Sequence, residues 1–143
     1  MRQELLILAD AAEAINGKLY VFGGAADRHM AAQFPANLLA AIAGSVTVGW
    51  NETNASFLIK VRILDEDENE AWRLEVQAVT GRPPGAKPGQ ELRTTFAVRG
   101  PFPIPHPGGY ELVLSLDAED QEPPFRFWVD QIVLPAVPHA GTP

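Results

Sequence analysis

The 143-residue chain contains no cysteine, an absence that excludes disulfides, thiolate metal sites and cysteine nucleophiles together. This absence fits a reducing compartment. Basic residues are also few, because 11 lysines and arginines stand against 18 acidic residues and leave a net charge of −7. Affinity for a phosphate backbone comes mainly from clustered lysine and arginine, so we expect no nucleic-acid partner.

Long hydrophobic runs are missing as well. The apolar run Leu5–Ala9 is soon interrupted by Asp10 and Glu13. Such a run is too short for a secretory signal or a membrane span. We therefore expect a cytoplasmic protein with no membrane association.

The remaining composition is that of a globular protein. Hydrophobic residues make up 46% of the chain and charged residues 20%, while 13 prolines and 12 glycines indicate many tight connections. A chain of this length is expected to form one core. We predict a single domain at residues 1–134 and a flexible, proline-rich tail at residues 135–143.

Two β-hairpins are indicated by the alternation of apolar and polar side chains. The first spans Phe57–Val79 around an acidic turn, and the second spans Tyr110–Val129 around another acidic turn. Side chains on a strand point to opposite faces with a period of two, so each hairpin has one apolar face. The core residues predicted on these faces are Ile59, Val61, Trp72, Leu74, Val76, Leu112, Leu114 and Phe127.

The N-terminal segment gives conflicting signals. Residues 4–15 are rich in helix formers, but Asn16-Gly17 favours a type I′ hairpin turn, which needs positive φ at both positions. We predict that residues 4–15 and 18–23 are paired strands. The total is then about eight strands, which predicts an all-β, antiparallel two-sheet β-sandwich of jelly-roll, C2 or immunoglobulin-like type.

Several short segments together carry a family resemblance. They are Leu6–Ala12, Asn16–Tyr20, Gly23-Gly24, Trp50–Glu52, Leu64–Asp67, Gly81–Pro84 and Pro107–Leu112. The pattern resembles a family of small bacterial all-β proteins of unknown function, over roughly residues 5–130. The resemblance implies the fold and a bacterial source, and it brings no activity and no functional residues.

The sequence shows no catalytic constellation. Among the histidines, only His29 has a neighbouring carboxylate, at Asp27, whereas His106 lies between two prolines and His139 lies in the tail. The serines fall within or at the ends of strand patterns, and no Gly-x-Ser-x-Gly elbow is present. We therefore expect a non-enzymatic protein.

Two acidic turns, at residues 65–68 and 117–122, could in principle hold Ca²⁺, which takes about six to eight oxygen ligands. No turn chemistry in the sequence brings them to one point, and the EF-hand spacing is absent. Acidic turns also keep sheet edges from pairing. We expect no metal and no cofactor.

Large apolar side chains at nominally outward positions suggest a contact surface. The candidates for a partner or ligand surface are Trp128, Trp50, Leu58, Leu64 and Val113. We predict an interaction or assembly module of unknown pathway that contacts a protein partner or self-associates as a homo-oligomer. The alternative is a ligand-binding sandwich, for carbohydrate or Ca²⁺, that uses exposed tryptophan and the acidic turns.

Overall fold

The computed structural model describes residues 1–133 and 135, and within them the chain forms strands and one short 3-10 turn at Trp50–Glu52. The strands, in chain order, are β1 (Arg2–Ala9), β2 (Ala11–Ile15), β3 (Lys18–Phe22), β4 (Arg28–Ala31), β5 (Ala36–Leu38), β6 (Ala41–Val48), β7 (Ser56–Asp65), β8 (Glu70–Val79), β9 (Leu92–Arg99), β10 (Phe102–Ile104), β11 (Gly108–Leu116), β12 (Glu119–Asp120) and β13 (Phe125–Gln131).

The predicted all-β class is confirmed. The count of about eight strands in two sheets is not, because the described residues form thirteen strands in four sheets. The predicted tail lies outside the described residues except for Pro135. No helix in the described residues is long and apolar enough to cross a membrane.

Two sheets face each other across the main core. The larger sheet has the order β4-β13-β11-β7-β8, with β12 also paired to β11, and the smaller has the order β1-β6-β9. Their inward side chains form one hydrophobic cluster. Its fully buried members include Leu8, Ile42, Ile63, Leu112, Leu114 and Phe127.

A hairpin covers the outer face of the smaller sheet. Strands β2 and β3 pair through Asn16-Gly17, whose φ values of 50° and 74° are those that a type I′ turn requires. Beneath the hairpin lies a second, small core of Ala12, Ala41 and Ala43. Strand β6 is therefore covered on both faces and is buried along its whole length.

The predicted pairing across Asn16-Gly17 is only partly correct. Residues Ala11–Ile15 pair with β3 as predicted, but β1 pairs with β6 instead. A local turn signal specifies the strand next to it, whereas the partner of β1 lies far along the chain and depends on tertiary packing.

The residues predicted as core are buried on every strand except β8. Ile59, Val61, Leu112, Leu114 and Phe127 are buried as predicted. Trp72 and Leu74 are only partly buried, and Val76 is 46% exposed. All three lie on β8, the last strand of the larger sheet, and the three-stranded smaller sheet leaves this strand incompletely covered.

Candidate functional site

The two facing sheets end on the same side of the molecule in edge strands, β8 and β9. At one end of these strands the hydroxyl oxygens of Thr80 and Thr94 lie 2.5 Å apart and join the two edges. Beyond that contact an open cleft separates β8 from β9. None of the residues that the structure describes closes the larger core on this side.

This cleft, called the apolar groove below, has a volume of about 290 Å³. Its lining consists of Ile59, Val61, Leu74, Val76 and Ala78 from the larger sheet and residues 94–98 from β9. Leu74 lies opposite the buried Val61, and Val76 lies opposite the buried Ile59. The groove is apolar because Leu74 and Val76 point to the same face of the larger sheet as the buried core residues Val61 and Ile59.

One glycine shapes the β9 wall. Phe96 of β9 lies opposite Gly44 of β6, and its ring packs over that glycine. A Cβ atom at position 44 would enter the space that the ring occupies. Glycine is thus required here for the aromatic ring to lie against the central strand.

Strand β8 is an edge strand whose protection consists of a bulge at Ala71 near its start and of charged residues on its outward face. It is ten residues long, it contains no proline, glycine or lysine, and its inward positions are all apolar. Its outward face carries Arg73, which binds the carboxylates of Glu70 at 2.9 Å and Glu75 at 3.5 Å. A long edge of this kind is a template for the addition of another strand.

The edge at β1, by contrast, is occupied. The backbone N–H of Gln3 donates to Oε1 of Gln121 at 3.1 Å, and its side-chain amide donates to the carbonyl of Pro123 at 2.9 Å. The other outer strand of the larger sheet, β4, has only four residues. The long, uncovered edges are thus concentrated at the apolar groove.

The surface residues predicted from the sequence lie away from this groove. Leu58, Leu64, Trp50 and Trp128 are partly buried at separate positions. The guanidinium of Arg82 lies 3.9 Å from the ring centroid of Trp50. These residues do not form one continuous patch with the groove.

Val113 was expected to face solvent, but it is only 6% exposed. It lies directly opposite Arg62, which forms a 2.7 Å ion pair with Asp120 on β12. This pair holds the arginine side chain over the outer face of the larger sheet. The expectation was wrong because β12, a strand of two residues, was not visible in the alternation.

The two acidic turns lie at opposite ends of β7. Asp65 is the last residue of that strand, whereas the backbone N–H of Asp117 donates to the carbonyl of Leu58 near its start. Their carboxylates do not converge. The described residues contain no group of three or more His, Cys, Asp or Glu side chains arranged to hold a metal ion.

A second cavity of about 290 Å³, called the polar pocket below, lies beside the first acidic turn. Its lining comprises Asp65, Glu66, Glu68, Gly109, Tyr110, Glu111, Arg126 and Trp128. Oε1 of Glu66 accepts a hydrogen bond from the backbone N–H of Gly109 at 2.9 Å. The fold therefore brings Trp128 and the first acidic turn to the same pocket.

His106 and Asp65 form an ion pair at the edge of the polar pocket, with 3.1 Å between Nε2 and Oδ2. Burial raises the pKa of Asp65, but hydrogen bonds from Asn69, His106 and the N–H of Asp67 outweigh it, and the net pKa lies below the ordinary value. The Pro107 carbonyl and the Asp65 carboxylate raise the pKa of His106.

The histidine with a carboxylate partner is not the one expected from the sequence. Nε2 of His29 contacts the carbonyl of Ala26 at 3.0 Å, whereas His106 pairs with Asp65, 41 residues away. The antiparallel register of β7 and β11 creates this proximity, which local sequence does not reveal. Within the described residues, His106 has no hydrogen bond to a serine or threonine hydroxyl that could act as a nucleophile.

A comparison with curated proteins gives no match. A family model, described as a family of unknown function, matches residues 4–126 and so covers most of the chain, including the apolar groove and all of β8, whereas Trp128 of the polar pocket lies beyond the matched residues. The chain belongs to the family of unknown function DUF6941.

Proposed function

We propose that this protein is a non-enzymatic assembly module that self-associates through the β8 edge and the apolar groove. One observation carries the proposal. Leu74 and Val76 have the inward phase of core residues, yet a single copy of the chain leaves Val76 46% exposed and Leu74 only partly buried. Contiguous exposed apolar surface of this kind is typical of a protein contact site.

The edge supplies the second part of such a contact. Strand addition gains affinity from main-chain hydrogen bonds and specificity from pockets for alternate side chains. Strand β8 offers the outward-directed backbone groups of alternate residues along its edge, and the groove beside it offers the apolar pocket. Both elements belong to the two sheets that share the main core.

The test compares two lysine variants by sedimentation velocity. Val76→Lys places a charge in the groove, whereas Val79→Lys, a control on the same strand, changes a residue that is 58% exposed and does not line the groove. We expect the wild type and Val79→Lys to sediment as a species heavier than the 15.5 kDa chain, and Val76→Lys to sediment as the single chain. A wild type that stays at the single-chain mass up to about 100 µM, far above a micromolar dissociation constant, would contradict the proposal.

The polar pocket supports a second candidate, a ligand-binding protein for carbohydrate. Here an indole ring, several carboxylates and Arg126 surround one cavity, and such a combination can stack on a sugar ring and bind its hydroxyls. Calorimetric titration with mono- and disaccharides tests this candidate. It predicts heat that disappears in Trp128→Ala and persists in Trp50→Ala, and the absence of heat would remove it.

A further inference from the structure

We infer that the strand added to β8 is β8 of a second copy, antiparallel and related by a two-fold axis that passes at Leu74. This inference rests on the proposed self-association and adds its register. It follows from the direction of the backbone groups on β8, from the symmetry of a homodimer and from the charges on the outward face.

The direction of the backbone groups can be followed from β11 to β8. The carbonyl of Leu58 accepts from the N–H of Asp117, so the even-numbered residues of β7 direct their backbone groups toward β11. Backbone groups alternate along an antiparallel strand, so the odd-numbered residues direct theirs toward β8. Their partners on β8 are even-numbered, as the pair Val61–Leu74 shows.

The odd-numbered residues of β8 therefore direct their N–H and carbonyl groups to the open edge. These residues include Arg73, Glu75 and Gln77. An added strand must form its hydrogen bonds with these positions.

Two-fold symmetry limits the possible registers. Opposed residues of an antiparallel pair lie on the same face of the sheet, so an odd-numbered residue of one β8 must oppose an odd-numbered residue of the other. A two-fold axis that relates the two copies therefore passes at a residue, which opposes its own equivalent, and not between two residues. The registers centred on Leu74 and on Glu75 overlap nearly the whole strand, because β8 runs from Glu70 to Val79, and both keep the axis within the part Trp72–Val79 that follows the bulge at Ala71.

Charge separates these two registers. Centred on Leu74, the pairing places Arg73 of each copy opposite Glu75 of the other, so two favourable ion pairs flank the axis. Centred on Glu75, it places two like carboxylates directly opposite each other, which is destabilising. The outward face of β8 therefore favours the axis at Leu74.

The same register covers the apolar groove. Leu74 meets its own equivalent at a non-hydrogen-bonded position, where Cα atoms lie about 4.5 Å apart. Trp72 of each copy lies opposite Val76 of the other. The axis is perpendicular to the joined sheet, so both grooves lie on one side of it and the exposed Leu74 and Val76 side chains are brought together.

Single cysteine variants measure the register directly, because the natural chain has no cysteine. We expect Leu74→Cys to form a disulfide-linked dimer on mild oxidation, since the opposed positions satisfy disulfide geometry. Glu75→Cys places the thiols on a diagonal of about 7–8 Å, and Val76→Cys separates them by four residues, roughly 13 Å. Both variants are expected to cross-link poorly. If Glu75→Cys or Val76→Cys cross-links more strongly than Leu74→Cys, the register is wrong.

Charge reversal tests the same pairing without a cysteine. We expect Arg73→Glu and Glu75→Arg each to weaken association at least tenfold in sedimentation equilibrium, and the double variant to restore it. If the wild type is an oligomer that Val76→Lys disrupts, but the double variant does not recover, the register fails and the proposed function stands. If the wild type is a single chain and no cysteine variant cross-links, both fail.

Discussion

Leu114 and Leu74 both point to the inner face of the larger sheet, but they differ in burial. Leu114 lies in the centre of the larger sheet and is fully buried, whereas Leu74 lies on its edge strand and is only partly buried. Alternation along a strand specifies which face a side chain occupies. Whether that face is covered depends on the opposing sheet.

Alanine substitution should separate these two leucines. Leu114→Ala is expected to lower the free energy of unfolding by about 2–5 kcal/mol, because it removes core contacts and leaves a cavity. Leu74→Ala in dilute protein is expected to cost about 1 kcal/mol, since much less apolar surface is lost from a partly hydrated site. Urea denaturation measures both values, and equal losses would show that the groove is closed in solution.

The His106–Asp65 pair leads to a pH-dependent prediction. The raised pKa of His106 means that the folded state favours the charged imidazole, so its stabilisation is present below the unfolded value of 6.5 and is lost as pH rises through the folded pKa. The lowered pKa of Asp65 means that its contribution is present above 3.8 and is lost as pH falls through the folded pKa.

The pair should therefore stabilise the fold most between these two limits. His106→Gln is expected to lower the melting temperature more at pH 5.5 than at pH 8.5, measured by differential scanning calorimetry. His29→Gln serves as the matched control, because His29 contacts a backbone carbonyl and no carboxylate. A loss of equal size at both pH values would contradict the ion pair.

At the scale of the element, the hairpin pairings between neighbouring strands were predictable, and the pairings between strands distant in sequence were not. Asn16-Gly17 specifies the hairpin of β2 and β3 because its positive φ values are a local requirement. The hairpins β7–β8 and β11–β13 follow the predicted alternation, whereas the pairing of β1 with β6 and of β11 with β7 joins segments that are distant in sequence. No local pattern encodes such ladders, so the uncovered edge at β8 could not be foreseen.

The candidate site was missed for the same reason. Apolar side chains out of phase with their strand, such as Trp128, were the predicted surface residues, and the in-phase residues of β8 were predicted to be core. The groove is formed by those in-phase residues. To find a strand whose inward apolar face is not covered by an opposing sheet, one needs the order of the strands in the sheets. Only the folded structure provides this order.

Proline substitutions on β8 test the inferred direction of its backbone groups. Glu75→Pro is expected to leave the chain folded, because it removes an N–H that points to the open edge, where proline is tolerated. The variant is expected to be monomeric, because the added strand loses that hydrogen bond. Val76→Pro is expected to lower the melting temperature strongly, because it removes an N–H bonded to β7. Circular dichroism with sedimentation measures both effects, and a greater loss of stability in Glu75→Pro would reverse the assignment.

At the scale of the whole molecule, self-association should couple to stability by mass action. If the dimer is the stable folded form, a tenfold increase in protein concentration is expected to raise the melting temperature by roughly 2–3 °C. Val76→Lys should abolish this dependence, while Val79→Lys should retain it. A wild-type melting temperature that is independent of concentration would argue that folding does not depend on association.

The central position of β6 has a consequence for how the molecule opens. The strand is covered by the larger sheet on one face and the β2–β3 hairpin on the other, and both its edges are paired, to β1 and β9. Its amide protons are therefore expected to exchange with deuterium only when the entire chain unfolds. Those of β8 are expected to exchange through local opening, because this strand has one free edge. The protein is thus expected to combine a slowly exchanging centre with a rapidly exchanging margin, and a second copy would order that margin.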